Sequence, residues 1–206
     1  MYNNFAMRTI LERNETTLIR DRSSFIGILI HVTNKDFVKD LLNEIRKEYP
    51  KAKHYCYAYI IGQDKKCSDD GEPAKTAGRP LLELLEKKEM DECLLVVVRY
   101  FGGVLLGASR LMSTYLESGV QTLDSADIVS IKQKYVYHME LSYRDFEALK
   151  RIANHLSYGL ENINYGTKIS VDVLLDSSDT EELVNKFPNA SIEVYGQKKV
   201  YKRDYQ

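Results

Sequence analysis

Hydrophobic positions recur along this chain with two periods, and the switches between them mark out its elements. Residues 8–32 carry two strand-like stretches, the second running from Ser24 to Val32. At Thr33 the period lengthens to that of a helix. Val32 and Phe37 bracket Thr33 as a hydrophobic staple would, and Asp36 at the third helical position completes a capping-box-like start. Phe37, Val38, Leu41, Leu42 and Ile45 then form an apolar stripe that stops by Pro50. A strand follows over His54–Gly62. The polar, turn-rich segment KKCSDDGEPAKTAGRP (65–80) opens onto Leu81, Leu82, Leu84 and Leu85. Thr76 or a neighbour serves as the cap of that helix, and Pro80 fits its first turn, where backbone donors have no partner. Leu94 to Tyr100 reads as a central strand, its apolar run too short for a bilayer and right for burial. FGGVLLGAS (101–109) then turns into a helix bearing Leu111, Tyr115, Leu116 and Leu123.

A boundary falls near 124–127. Beyond it Tyr135, Tyr137, Met139 and Leu141 alternate as a half-buried strand, and Ser142 with Asp145 caps a helix bearing Phe146, Leu149, Ile152 and Leu156. Two strands joined near Tyr165-Gly166 read as a hairpin, with Ile169, Val171, Val173 and Leu175 on one face of the second. Ser178 with Glu181 caps a short helix through Phe187, and a last strand covers Ser191 to about Tyr201. Strand, helix, strand, strand, helix, strand is the split-βαβ order. The fold class is therefore α+β, in two domains: 1–126 and 127–206.

The 206 residues include 29% charged and 44% hydrophobic positions, ordinary globular usage that needs no metal or disulfide staple. The net charge of −1 excludes a uniformly basic nucleic-acid binder but leaves room for a local patch. Tyrosine is in excess, at 15, with no tryptophan. Cys56, Cys67 and Cys93 form no CxxC pair and fit a reducing compartment. The first residues, broken by Arg8, Glu12, Arg13 and Glu15, have no signal-peptide character, so the expected location is the cytoplasm and no membrane is implied. Neither a cofactor nor a resident metal is expected.

Four features could carry chemistry. Asp69, Asp70 and Glu72 could hold Mg²⁺, or else one of the aspartates caps a turn while Gly71 takes a positive φ. His54 could be structural, a binding group or a base, and shares a strand face with Cys56. Arg99-Tyr100-Phe101-Gly102-Gly103 and Leu106-Gly107-Ala108-Ser109-Arg110 join a strand end, glycines and a helix start. That combination frees backbone donors for an anion that Arg99 or Arg110 could clamp, or else merely permits a tight crossover. No GxxxxGK[ST] loop and no GxGxxG fingerprint is present. Tyr55, Tyr57 and Tyr59 share the strand face opposite Cys56, Ala58 and Ile60, as core or, if exposed, as a stacking platform.

Three ordered blocks, A-K-H-Y-C-Y-A-Y (52–59), S-D-D-G-E-P-A-K-T-A-G-R-P (68–80) and V-V-V-R-Y-F-G-G-V-L-L-G (96–107), together resemble the signature of the IMPACT family in its bacterial YigZ-type form. The resemblance implies a first domain like the second domain of small-subunit ribosomal protein five. It implies a ferredoxin-like second domain, similar to the C-terminal domains of elongation factor G. Eukaryotic relatives regulate translation and have an additional N-terminal domain that this chain is expected to lack, so the resemblance does not carry their partner over. The family positions here are His54, Asp70, Gly71, Glu72, Thr76, Gly78, Pro80, Arg99, Tyr100, Gly102, Gly103 and Gly107. After Gly107 the family continues with a Gly-Gly pair and then a basic residue. This chain has Ala108-Ser109 and, at the basic position, Ser113. Arg110, one turn earlier, is a candidate replacement.

The expectation is a cytoplasmic, translation-associated binding protein rather than an enzyme. RNA, the ribosome or a translation factor would be held by His54, Arg99, Tyr100, Gly102, Gly103, Gly107 and Arg110. One alternative is an enzyme on a small phosphorylated or nucleotide ligand, with Asp69, Asp70 and Glu72 on a metal and His54 as base. The other is a protein–protein interaction module.

Overall fold

A computed structural model of the chain describes residues 7–156, 158–176 and 181–203, which form two compact units. The chain up to Ile131, with the stretch from Lys202, makes the first, and Lys132–Tyr201 the second. The division falls inside a strand, β7 (Ile128–Leu141), rather than at residue 126. The reason is that β1 (Arg8–Ile10) pairs antiparallel with Ile128–Ser130 and ties those residues to the first unit.

The first unit is built on an antiparallel sheet of β2 (Asn14–Arg20), β3 (Ser23–His31), β4 (His54–Ile61), β5 (Asp64–Ser68) and β6 (Cys93–Tyr100). Their order is β2-β3-β6-β4-β5. Residues 8–32 thus hold three strands, not two. The β2–β3 turn uses Asp21 and Arg22, both at positive φ (45° and 66°). Asp21 is a common turn residue, but Arg22 stands where a hairpin turn of this kind usually has glycine, so the cue in the sequence is weak.

Strand β6 lies at the centre and is covered on both faces. Cys93, Leu95 and Val97 pack with Phe25, Leu29, Cys56 and Ala58 beneath α2 (Gly78–Lys87) and α3 (Ala108–Asp124). Leu94, Val96 and Val98 pack with Ile28, Tyr55 and Tyr59 beneath α1 (Val38–Glu48). A strand buried on both faces needs an apolar side chain at every position, which is why its run is continuous. Tyr55 and Tyr59 are therefore core residues, and Tyr57 is half-buried. An open platform of three tyrosines is excluded.

Two helix starts differ from their sequence signals. Thr33 does not cap: the Asn34 side chain accepts from the Asp36 N–H (2.9 Å), and a 3₁₀ turn over Lys35–Phe37 leads into α1. Phe37 is exposed and closes no staple. Helix α2 has no side-chain cap from its neighbours, and Thr76 Oγ1 donates instead to the Pro73 carbonyl (2.6 Å).

The second unit runs β7, α4 (Tyr143–Leu156), β8 (Gly159–Tyr165), β9 (Ile169–Leu175), α5 (Glu181–Lys186) and β10 (Ser191–Arg203). Its sheet order is β10-β7-β9-β8. Ser142 accepts from the Asp145 N–H (3.1 Å) and donates to the Asp145 carboxylate (2.8 Å), capping α4 as its sequence signals. Ser178, the expected cap of α5, lies outside the described residues. Tyr137, Met139 and Leu141 meet Phe146, Leu149, Val171 and Val173 in the core. On the other face of β9, Asp172 accepts from His138 Nδ1 (2.8 Å) and Asn162 Nδ2 (2.7 Å).

Two outcomes follow from these contacts. Helix α3 lies so close on β3 that a Cβ at Gly27 would collide with Thr122 Oγ1 and come within 3.2 Å of the Ser118 carbonyl. Gly27→Ala is expected to cost about 1–3 kcal/mol, read as a lower urea midpoint at unchanged m-value. An unchanged midpoint would contradict this packing. Burial pushes the Asp172 carboxyl up, but the hydrogen bonds from Asn162 and His138, with the charges of His138 and Lys198, hold it below the usual aspartate value. Its stabilising contribution is complete above the unfolded aspartate value of about 3.9 and fades as pH falls through the lower folded value. Acid titration of stability should therefore show a loss in that range that Asp172→Asn removes.

Candidate functional site

The signature blocks converge at one end of the first unit. His54 opens β4, Arg99 is the penultimate residue of β6, and the two are cross-strand partners on the α2/α3 face. The loop after β5 brings Glu72 between them. Arg99 Nη1 donates to Glu72 Oε1 (2.6 Å), and the Tyr115 hydroxyl on α3 donates to the same oxygen (2.8 Å). Both charged side chains are almost wholly buried, with 6% and 4% of their surface exposed. The Arg99 guanidinium also lies over the rings of Phe25 (5.3 Å) and Phe101 (5.5 Å), and its Nε has no hydrogen-bond partner among the described residues. The arginine read as an anion clamp is a buried structural cation.

The 68–80 loop is held by its own carboxylates. Asp69 Oδ1 accepts from the N–H groups of Ala77 (3.0 Å) and Gly78 (2.8 Å), and Oδ2 from that of Lys75 (2.8 Å). It thereby satisfies the start of α2 from a distance. Asp70, at φ 42°, accepts from the Tyr55 N–H (2.7 Å) and Arg46 (3.3 Å). Gly71 takes φ 86°, as the turn reading expects. Gly78 sits against the Ser68 backbone, where any Cβ would lie 2.6 Å from the carbonyl, and Pro80 is buried in the first turn of α2. The three acids of this loop point to different partners. Among the described residues no group of three or more His, Cys, Asp or Glu is placed to hold a metal ion.

His54 Nδ1 lies 2.8 Å from the Asp70 carbonyl, which can only accept, so Nδ1 carries a proton. Nε2 sits 3.8 Å from Glu72 Oε2, beyond hydrogen-bond distance. Cys56 is no nucleophile for it. Burial pushes the thiol up, and Sγ donates to the Asp69 carbonyl (3.0 Å).

Around these groups lies a cleft of about 340 Å³ lined by His54, Gly71, Glu72 and Arg99 on one side. Phe101, Leu105, Leu106 and Leu111 make an apolar wall, and Lys53, Gly107 and Ala108 complete the rim. Gly107 precedes α3 at φ 76°, and among the described residues no side chain caps the first N–H groups of the helix. Leu105 is 87% exposed at the lip.

The remaining predicted residues lie outside the cleft lining. Tyr100 faces the α1 side and donates to the Pro50 carbonyl (3.1 Å). Gly102 is pressed on the backbone of Arg22 and Ser23, where a Cβ would collide, so its role is packing. Gly103 takes φ 86° in open space. Arg110 is ion-paired to Asp21 (2.9 Å), and Ser113 Oγ donates to the Arg110 carbonyl (3.0 Å). Arg99 and Arg110 form no common clamp, because one is engaged by Glu72 and the other by the β2–β3 turn. Sequence reasoning missed Tyr115, whose place in an apolar helical stripe hides its hydroxyl. It also missed the apolar wall, whose one signal is bulky residues in a glycine-flanked loop.

This fold and loop define a class. The profile of the Impact N-terminal domain matches residues 21–123. The IMPACT family member YvyE of Bacillus subtilis is 30% identical over 175 residues, 84% of this chain and 81% of that one. The family member YigZ of Escherichia coli is 30% identical over 175 residues, 82% and 86% of the two chains. A solved structure of a hypothetical protein superposes with a TM-score of 0.62 at 26% identity, covering 92% of this chain and 96% of that one. The chain belongs to the IMPACT family.

Removing one partner from a buried pair leaves the other charge uncompensated. Glu72→Gln is expected to destabilise the first unit by about 3–5 kcal/mol. The triple replacement Glu72→Leu, Arg99→Met, Tyr115→Phe should recover most of that loss in urea titrations. Glu72→Gln with a wild-type midpoint would show that the pair does not hold the loop.

Proposed function

We propose that this is a cytoplasmic binding protein associated with translation, which contacts RNA, the ribosome or a translation factor through the cleft beside His54. The observation that carries the reading is the convergence of the signature blocks on a cleft whose acids are engaged internally. What lines the cleft besides them is an apolar wall, the His54 ring and the start of α3, which no side chain caps among the described residues. Such a surface recognises a partner by shape, with a few polar groups to orient it. Membership of a family whose eukaryotic members regulate translation supplies the context. The same reading gives the first unit the fold of the second domain of small-subunit ribosomal protein five. It gives the second unit a ferredoxin-like fold similar to the C-terminal domains of elongation factor G, which the order β10-β7-β9-β8 supports.

The metal-dependent enzyme alternative loses its ligand set, since Asp69 serves backbone N–H groups, Asp70 serves Tyr55 and Arg46, and Glu72 serves Arg99 and Tyr115. A protein-interaction reading is favoured by the exposed Phe101, Val104 and Leu105 at the lip. It differs from the first reading in the nature of the partner, not in the surface used.

Capture from lysate, with and without nuclease, tests both. Leu105→Asp changes an exposed side chain and should leave the fold intact while strongly reducing recovery of ribosomal or translation-factor partners. Nuclease should abolish recovery where RNA is the bridge and leave it where the contact is protein. Recovery by Leu105→Asp equal to wild type would overturn the assignment of the cleft.

A further inference from the structure

A second concave surface lies on the opposite face of the same sheet, between α1 and the β4–β5 hairpin. It is a groove of about 250 Å³. Strand β5 is the outer strand, and Tyr59 pairs with Lys66 across it, so Lys66 stands on the tyrosine face. Tyr57, two residues from Tyr59 along β4, shares that face. Helix α1 supplies Lys39, with Val38 and Leu42 as the apolar floor.

The chemistry of this groove is one-sided. Lys35 is engaged by Asp64 (3.0 Å). Lys39 and Lys66 are exposed and make no ion pair among the described residues, and the hydroxyls of Tyr57 and Tyr59 have no hydrogen-bond partner there. Among the described residues no carboxylate lines the groove. The Tyr57 phenol is protonated at neutral pH, as any unperturbed tyrosine is, and burial pushes it up further. The groove thus presents two ammonium groups without an ion pair among the described residues and two phenol hydroxyls that can donate, beside a half-buried aromatic ring. The complementary ligand is anionic, rich in acceptors, and carries a flat group for the ring. A phosphodiester strand with unpaired bases meets all three requirements. An acidic polypeptide meets the first two only.

Lysines on an outer strand also discourage pairing with other chains. That role accounts for charge on β5 but not for its distribution. Lys65, on the far face, is paired with Glu86 (3.0 Å), whereas Lys66 stands unpaired beside the tyrosines.

We propose that the groove between α1 and the β4–β5 hairpin binds single-stranded RNA, with phosphate oxygens on Lys39 and Lys66 and a base against Tyr57. The proposal rests on the RNA branch of the function proposed above and adds to the cleft a second contact on the opposite face of the sheet. The chain's net charge of −1 is consistent with a contact this local.

Fluorescence polarisation with a short labelled oligouridylate, over a range of KCl concentrations, tests it. Lys39→Ser with Lys66→Ser should weaken binding about tenfold or more at low salt. It should also reduce the slope of log K against log salt by about 1.4, the value for two phosphate contacts on a single strand. Tyr57→Leu should weaken binding about fivefold or more with the slope unchanged. Lys65→Ser on the same strand should bind as wild type. Equal affinity of wild type and the double lysine variant would overturn the groove while leaving RNA binding elsewhere on the protein intact. No binding by wild type at the lowest salt would overturn the groove as an RNA site, and the Leu105→Asp capture then judges the cleft separately. Displacement of the oligonucleotide by polyglutamate at equal charge concentration, with the same loss in the double variant, would assign the groove to an acidic polypeptide instead.

Discussion

The buried ion pair between Arg99 and Glu72 is the interaction on which the cleft end of the first unit depends. Two charges removed from water are tolerable only when their geometry is good and their remaining hydrogen-bonding capacity is met. Here the end of the central strand supplies the guanidinium, the loop after β5 the carboxylate, and α3 a phenol that shares the same oxygen. Three elements distant in sequence are thereby fixed at one point. The rings of Phe25 and Phe101 close over the guanidinium from the core and the cleft sides, so the pair also sets one wall of the cleft.

That arrangement changes what the signature residues are for. Asp69, Asp70, Glu72, Thr76 and Gly78 hold the loop in place. Gly71, Gly103 and Gly107 let the chain turn through positive φ, and Gly102 lets two backbones touch. Little of the polar signature is left to face a partner. The surface proposed for recognition is made instead by residues with no distinctive chemistry of their own: Phe101, Leu105, Leu106, Leu111 and the bare start of α3.

The parts of this legible in the sequence are those governed by periodicity. The continuous run of β6, the alternation of Tyr137, Met139 and Leu141, and the Ser142–Asp145 cap all lie where the pattern puts them. Patterns of this kind report local burial and local hydrogen bonding, which neighbouring residues determine. The misses have a common cause in long-range contact. The β2–β3 turn at Asp21-Arg22 lacks glycine, Tyr115 looks like one more apolar stripe position, and Arg99 looks like a free cation until Glu72 is brought to it from 27 residues away. The position of Arg110 beside Asp21 is of the same kind, since 89 residues separate the pair.

The start of α2 is conditional in the same sense. Its first N–H groups are met by Asp69, a residue placed by the pairing of Ser68 with Tyr57 at the end of the β4–β5 hairpin. The cost of nucleating a helix is highest in its first turn. For α2 that cost is lowered only once a hairpin that precedes it in the chain has closed. The helix and the hairpin are thus a single cooperative unit, and the loop joining them is ordered as their common hinge rather than as a connection between two independent pieces.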